Sequence, residues 1–248
     1  MTPRMSPRVM STMLPGGLAT RELALTLMRP RSLALRVGIP LVLAVPLAAG
    51  GAPTFWAGML LTVLVAMVGA VGTAITIARA RASGLLARLT CVPASRPRLV
   101  LSWVGAATSI DLAQLLPALA VVLVSGGAGP TAWISLLVAG AAALLVANSI
   151  GCLVTLVGSD AGEVLLGVTV ILAPVLFLGG LFTGVPREGW RWWAARVDPF
   201  SYLHSAFISA LGGAPAFAPG AILTAAALSV LVALITLALV SRPLIEKR

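Results

Sequence analysis

Apolar residues along this chain gather into six long runs, at residues 32–50, 55–77, 99–124, 133–157, 164–182 and 219–240, separated by short polar or glycine- and proline-rich breaks. A helix needs about 20 mostly apolar residues to cross a hydrocarbon core. The pattern therefore predicts an all-α integral membrane protein with six transmembrane helices. The first run is the least regular: Arg36 sits near one end and must snorkel, and Pro40 and Pro46 lie inside it, so a kinked helix is expected. In the second run Ala66, Ala70 and Ala74 recur at i, i+4 spacing, a small-residue face suited to close helix contact. Residues 51–54 and Gly126–Thr131 read as outer turns, and Gly158–Glu163 as an inner loop with two acids, Asp160 and Glu163. Residues 1–17 are polar, with Pro3, Pro7 and Pro15, and read as a disordered cytoplasmic tail. No apolar stretch with a small-residue cleavage site follows, so a signal peptide is not expected. Residues 18–248 then form a single transmembrane domain. Leu18–Arg29 is loosely amphipathic, with Glu22, Thr26 and Arg29 opposite Leu23, Ala24, Leu27 and Met28. It reads equally as an interfacial helix or as a cytoplasmic extension of the first span.

Composition agrees with the pattern. Hydrophobic residues make up 59% of the 248 and charged residues 10%, against about 25% charged in soluble domains. The stretches between the runs are too short to hold a soluble domain. A net charge of +10 raises the possibility of nucleic-acid binding. The arginines, however, flank apolar runs and form no basic face laced with aromatics, so membrane topology explains them and a nucleic-acid partner is not expected. With six spans and both termini cytoplasmic, fourteen of the seventeen basic residues fall inside and three, Arg187, Arg191 and Arg196, outside. That is the positive-inside bias of a multi-pass protein. The aromatic residues Trp190, Trp192, Trp193, Phe200 and Tyr202 cluster in the outer segment, as expected of an interfacial belt. Cys91 and Cys152 lack CxxC spacing and fall in different surroundings, so neither a disulfide nor a metal site is expected.

The stretch Ala78–Val100 stands out among the breaks. It holds Arg79, Arg81, Arg88, Arg96 and Arg98 and no acid. Gly84 and Pro93 punctuate it, and Leu85, Leu86 and Leu89 give a short helix an apolar side. It reads as a cytoplasmic loop containing a helix laid across the inner surface and open to a partner.

Few residues carry chemistry. Asp111 is the one acid well inside a predicted span, about 18 Å along the helix from Leu99, with Gln114 on the same face and Asn148 on the next span. A charge at that depth by default suggests function, either proton coupling or a polar path. The predicted spans offer no second acid, histidine or lysine to relay a proton. A hydrogen-bonded Asp111 that fixes helix packing with Gln114, Thr108 or Asn148 is therefore the expected role. His204, the single histidine, falls in the outer segment and reads as a hydrogen-bonded interfacial side chain, not part of a metal site or catalytic triad. The single lysine, Lys247, cannot complete a GxxxxGK[ST] phosphate loop, so no ATPase site of that kind is expected on this chain, nor any catalytic, metal or cofactor residue.

Two stretches together resemble the permease subunits of type-2 ATP-binding-cassette (ABC) exporters. In the basic loop, Arg79, Arg81, Gly84, Leu86, Leu89, Pro93, Ser95 and Arg96 follow the family's arginine-rich segment, glycine, leucines and Pro-x-Ser-Arg turn. Near the C-terminus Pro174, Gly179, Gly180, Phe182, Pro186, Trp190, Asp198, Pro199 and Tyr202 match its second motif. The sequence departs from the family pattern at Ala80 and Ala82, where acids are usual, and at Leu85, where a threonine is usual. The resemblance implies a permease that pairs with a second copy or a paralogue and docks on two separate ATPase subunits, which carry the ATP and magnesium. The coupling loop would be Gly84, Leu85, Leu86, Arg88, Leu89, Pro93, Ser95 and Arg96, with the leucine side inserted into the ATPase. Pro186, Trp190, Asp198, Pro199 and Tyr202 would belong to two short re-entrant outer helices between spans five and six. The implied function is export of an amphiphilic small molecule, drug, lipid or glycan across a bacterial plasma membrane. A secondary transporter proton-coupled through Asp111 and a non-transport membrane scaffold remain the alternatives.

Overall fold

The apolar runs fold as helices because a backbone removed from water must satisfy its own hydrogen bonds. The computed structural model describes residues 30–89, 95–158, 160–186 and 188–246. In chain order they form α1 (Pro30–Ala49), α2 (Thr54–Ala82), α3 (Leu85–Leu89), α4 (Arg96–Ser125), α5 (Pro130–Val154), α6 (Ala161–Leu178), α7 (Trp190–Val197), α8 (Pro199–Ala210) and α9 (Pro219–Glu246), with no strand among the described residues. Five of these, α2, α4, α5, α6 and α9, are long and apolar enough to cross a membrane. α1 contributes a shorter apolar stretch, Leu33–Ala49, and runs unbroken through Pro40 and Pro46. The N-terminal tail, the amphipathic segment before Pro30, Cys91, Pro93, Arg187 and Lys247 all lie outside the described residues.

The bundle is built on α2 and α5. Ala66, Ala70 and Ala74 are almost wholly buried, and α2 has its most extensive contact with α5. A Cβ on Gly69 would stand 2.8 Å from the Ala147 Cβ, and one on Gly151 would collide with the Ala70 carbonyl oxygen. Small residues thus let the two backbones approach until they touch, the usual basis of helix association in lipid. Around this pair, α6 packs on α2, α9 on α5 and α4, and α1 on α4. α6 shows the face pattern clearly: Val164, Val168, Leu172 and Leu176 are buried, while Leu165, Leu166, Val170 and Ile171 are exposed. α8 enters the bundle, with ten of its twelve residues buried among α2, α5 and α9.

Several boundaries differ from the sequence reading. α2 continues to Ala82, so Arg79 and Arg81 are helical, and Arg96 and Arg98 open α4. Arginines at a helix C-terminus complement its exposed carbonyls, so a charge need not end the helix. The fourth and fifth spans end early, at Val154 and Leu178, followed by the turn residues 155–157 and 179–183. Asp160 does not merely add charge to an inner loop. Its carboxylate accepts hydrogen bonds from Gly162 N (2.7 Å) and Glu163 N (2.9 Å) and caps α6.

Candidate functional site

Deep between α2, α4 and α5 lies a small polar network. The Thr73 hydroxyl donates to Asn148 Oδ1 at 2.6 Å. The Asn148 amide donates to Thr108 Oγ1 at 3.0 Å and to Asp111 Oδ2 at 3.3 Å. Asn148 therefore spends both of its protons and its carbonyl, tying three helices together. Gln114, one turn beyond Asp111, is not part of this network, and its Nε2 is buried without a partner among the described residues. Asp111, Gln114 and Arg36 share a cavity of about 230 Å³ between α1, α2 and α4. Of the partners foreseen for Asp111, Asn148 bonds it directly, Thr108 joins through Asn148, and Gln114 stands apart.

The outer segment is held by a second buried acid, which the sequence reading placed in the re-entrant motif without assigning it a buried role. Asp198 caps α8, accepting from Phe200 N at 3.1 Å, with Pro199 at the first helical position, where its missing N–H is no loss. A side chain on Gly179 would collide with this carboxylate, so the end of α6 lies flush against it. Ser201 Oγ is 2.8 Å from the Gly179 carbonyl oxygen and 2.9 Å from Asp198 Oδ2. A hydroxyl has one proton and can donate to only one of them. Both contacts are met together when Asp198 is protonated and donates to Ser201, which donates to Gly179. Burial accordingly pushes the Asp198 carboxyl up to about 6, against the opposing pull of its hydrogen bonds from Phe200 and Ser201. An acid whose folded pKa is raised stabilises the fold most when protonated. That stability is complete below the ordinary value near 3.8 and is lost as pH rises through about 6. The purified chain should therefore melt at a higher temperature near pH 5 than near pH 7.5, through a difference of about 1–1.5 kcal/mol. Asp198→Asn, whose amide can also donate to Ser201, should flatten this dependence. Tryptophan-monitored melting with an equal pH response in both proteins would contradict the arrangement.

The other outer residues divide between surface and interior. Trp190 and Trp193 are exposed on α7, as interfacial aromatics should be. Phe200 and Tyr202 are not in that belt. They are buried, because α8 turns inward, and the Tyr202 hydroxyl donates to the Arg196 carbonyl oxygen at 2.8 Å. His204, expected at the interface, is 2% exposed, with Nε2 3.0 Å from the Phe55 carbonyl oxygen. A carbonyl only accepts, so the Nε2–H tautomer is present, and burial lowers the imidazole pKa. Arg196 lies over the rings of Trp192 and Trp193, 5.5 Å from each, and Arg191 over Phe177 at 5.2 Å. Pro186, Trp192 and His204 line an outer cavity of about 560 Å³.

At the opposite end of the bundle, Gly84 takes φ +69° and turns the chain from α2 into α3. The expectation that Leu86 faces a partner is corrected here. Leu86 is 3% exposed and belongs to a cluster with Ile77, Val100, Val104, Leu237 and Leu244, while Leu85 is half-buried against the same cluster. An apolar side chain this close to α9 and α2 finds its burial within the chain. What α3 shows outward is Arg88, with Arg79, Ser95 and Arg98 exposed nearby and Arg96 half-buried. Arg81, read from sequence as a topological charge, does more: its Nη1 donates to the Thr155 carbonyl oxygen at 2.8 Å, at the C-terminus of α5.

A bundle of apolar helices that encloses a polar network defines a multi-span helical membrane protein. The profile of the ABC-2 family transporter proteins matches residues 37–242, and the chain belongs to that family, the membrane component of an ABC transporter. No curated protein and no solved structure matches it.

Proposed function

We propose that the chain is the permease of an ATP-driven exporter in a bacterial plasma membrane. It pairs with a second permease, identical or paralogous, and two separate ATPase subunits supply ATP and magnesium. α1 is the sixth span, and both termini are cytoplasmic. α7 and α8 form the re-entrant outer segment around Asp198–Pro199, and the cargo is an amphiphilic small molecule, drug, lipid or glycan. The family match over most of the chain carries this reading. The form of α3 supports it: a short helix pinned from within by Leu86 and presenting Arg88 outward suits contact with a soluble subunit. In this version the arginine face docks, and Leu85 and Leu86 hold α3 to the bundle.

Co-expression with the products of the neighbouring genes, an ATPase subunit expected among them, is the direct test. The ATPase should co-purify, and its turnover should depend on this chain. Arg88→Glu should weaken that association while the chain still inserts. Transport without any ATPase, abolished by collapsing a proton gradient, would instead favour the carrier reading built on Asp111, which draws its support from the cavity in front of that residue.

A further inference from the structure

The recess between α1, α2 and α4 has two lobes, of about 70 and 230 Å³, which share Arg36, Gly72 and Asp111 as walls. We propose that it is a binding site for an amphiphile whose zwitterionic headgroup carries a primary ammonium, of the phosphoethanolamine type. Three features of the recess each call for one part of such a molecule.

Asp111 is 5% exposed, and its one hydrogen-bond partner among the described residues is the amide of Asn148 at a long 3.3 Å. A carboxylate has about four acceptor sites, so this one is poorly satisfied where burial makes that costly. A cation in the recess answers it. Gln114 is also 5% exposed, and its Nε2 has no partner among the described residues. Arg36 stays exposed at the mouth instead of closing on Asp111. Together they offer two donors, one of them charged, to an anionic group beside the cation. A plain cation would leave Gln114 and Arg36 unanswered, and a plain anion would be repelled by Asp111. The mouth itself is apolar and open, with Leu35 63% and Ile39 54% exposed, and Val42 carries the stripe one turn further along α1. An apolar tail would lie along that stripe. A primary ammonium is favoured over a quaternary one because it can donate hydrogen bonds to the carboxylate and fits the smaller lobe beside Thr73 and Trp103.

The test uses the full chain in phosphatidylcholine nanodiscs containing a trace of phosphatidylethanolamine that bears a photoactivatable acyl chain. Matched phosphatidylglycerol and phosphatidylcholine probes serve as the comparison. No ATPase or nucleotide is present, so a negative result leaves the transporter reading untouched. Cross-links from the ethanolamine probe should map to α1 and α4 and exceed those of the other two. Asp111→Asn and Arg36→Gln should each reduce them about tenfold, the effect of losing one charge-assisted contact. Equal labelling by all three probes overturns the proposal, as does labelling that survives both substitutions. If Asp111→Asn fails to insert, Arg36→Gln at the exposed mouth decides the matter alone.

Discussion

Gly151→Leu should leave almost no folded protein. The space a side chain would need at position 151 is filled by the Ala70 carbonyl oxygen of α2. That oxygen is backbone and cannot rotate away, so α2 and α5 must separate. Their separation would loosen the buried faces of Ala66, Ala70 and Ala74 and stretch the 2.6 Å Thr73–Asn148 bond one turn away. Overpacking of a core costs about 1–3 kcal/mol when side chains can yield. Here the obstacle is main chain, so the cost should reach or pass the upper end. Even Gly151→Ala should be measurably destabilising, since the colliding atom is Cβ itself. Yield of monodisperse protein and its melting temperature are the readouts. A Gly151→Leu protein with wild-type values for both would refute the close approach.

Leu86→Asp is the second large effect. An aspartate there replaces a leucine in the buried cluster that includes Ile77, Val100, Leu237 and Leu244. The loss of leucine burial alone is about 1.5–3 kcal/mol, and an unpaired carboxylate among apolar side chains adds several more. The expected result is a chain whose α3 comes loose from α9, with a lower melting temperature even when no ATPase is present. Arg88→Glu, on the exposed side, should leave melting unchanged and alter only the association with the ATPase. The pair thus separates two roles that the sequence merges into one apolar helix. An Leu86→Asp chain that melts normally yet fails to hold the ATPase would restore the view that the leucine itself docks.

How far the fold could be read ahead depended on the kind of signal. Runs of about 20 apolar residues mark spans by length alone, so α2, α4, α5, α6 and α9 were legible, and so was the small-residue face at Ala66, Ala70 and Ala74. Helix ends were less so. Arg79 and Arg81 looked like loop residues because charge was taken to end the span, whereas the helix extends beyond its apolar part. The direction in which Leu86 points was not legible, since a five-residue helix has no face until its neighbours are placed. Asp198 was visible as part of a motif but not as a buried acid. Its Asp-Pro sequence was a cap signal, and the adjacent glycines at 179 and 180 hinted at close approach, but the inward turn of α8 depends on tertiary packing. Arg81 and Thr155 lie 74 positions apart, and nothing local announces their bond.

That bond, read together with His204, gives α2 a mechanical character. At one end Arg81 donates to the Thr155 carbonyl that closes α5, and at the other His204 of α8 donates to the Phe55 carbonyl. Between these fastenings, glycine-to-backbone contacts leave α2 and α5 no slack for sliding. The two helices therefore behave as one stiff strut about 40 Å long, given 1.5 Å per residue. A displacement of α3, which follows α2 directly through Gly84, would arrive at the outer segment as rigid tilt, with little lost to bending on the way.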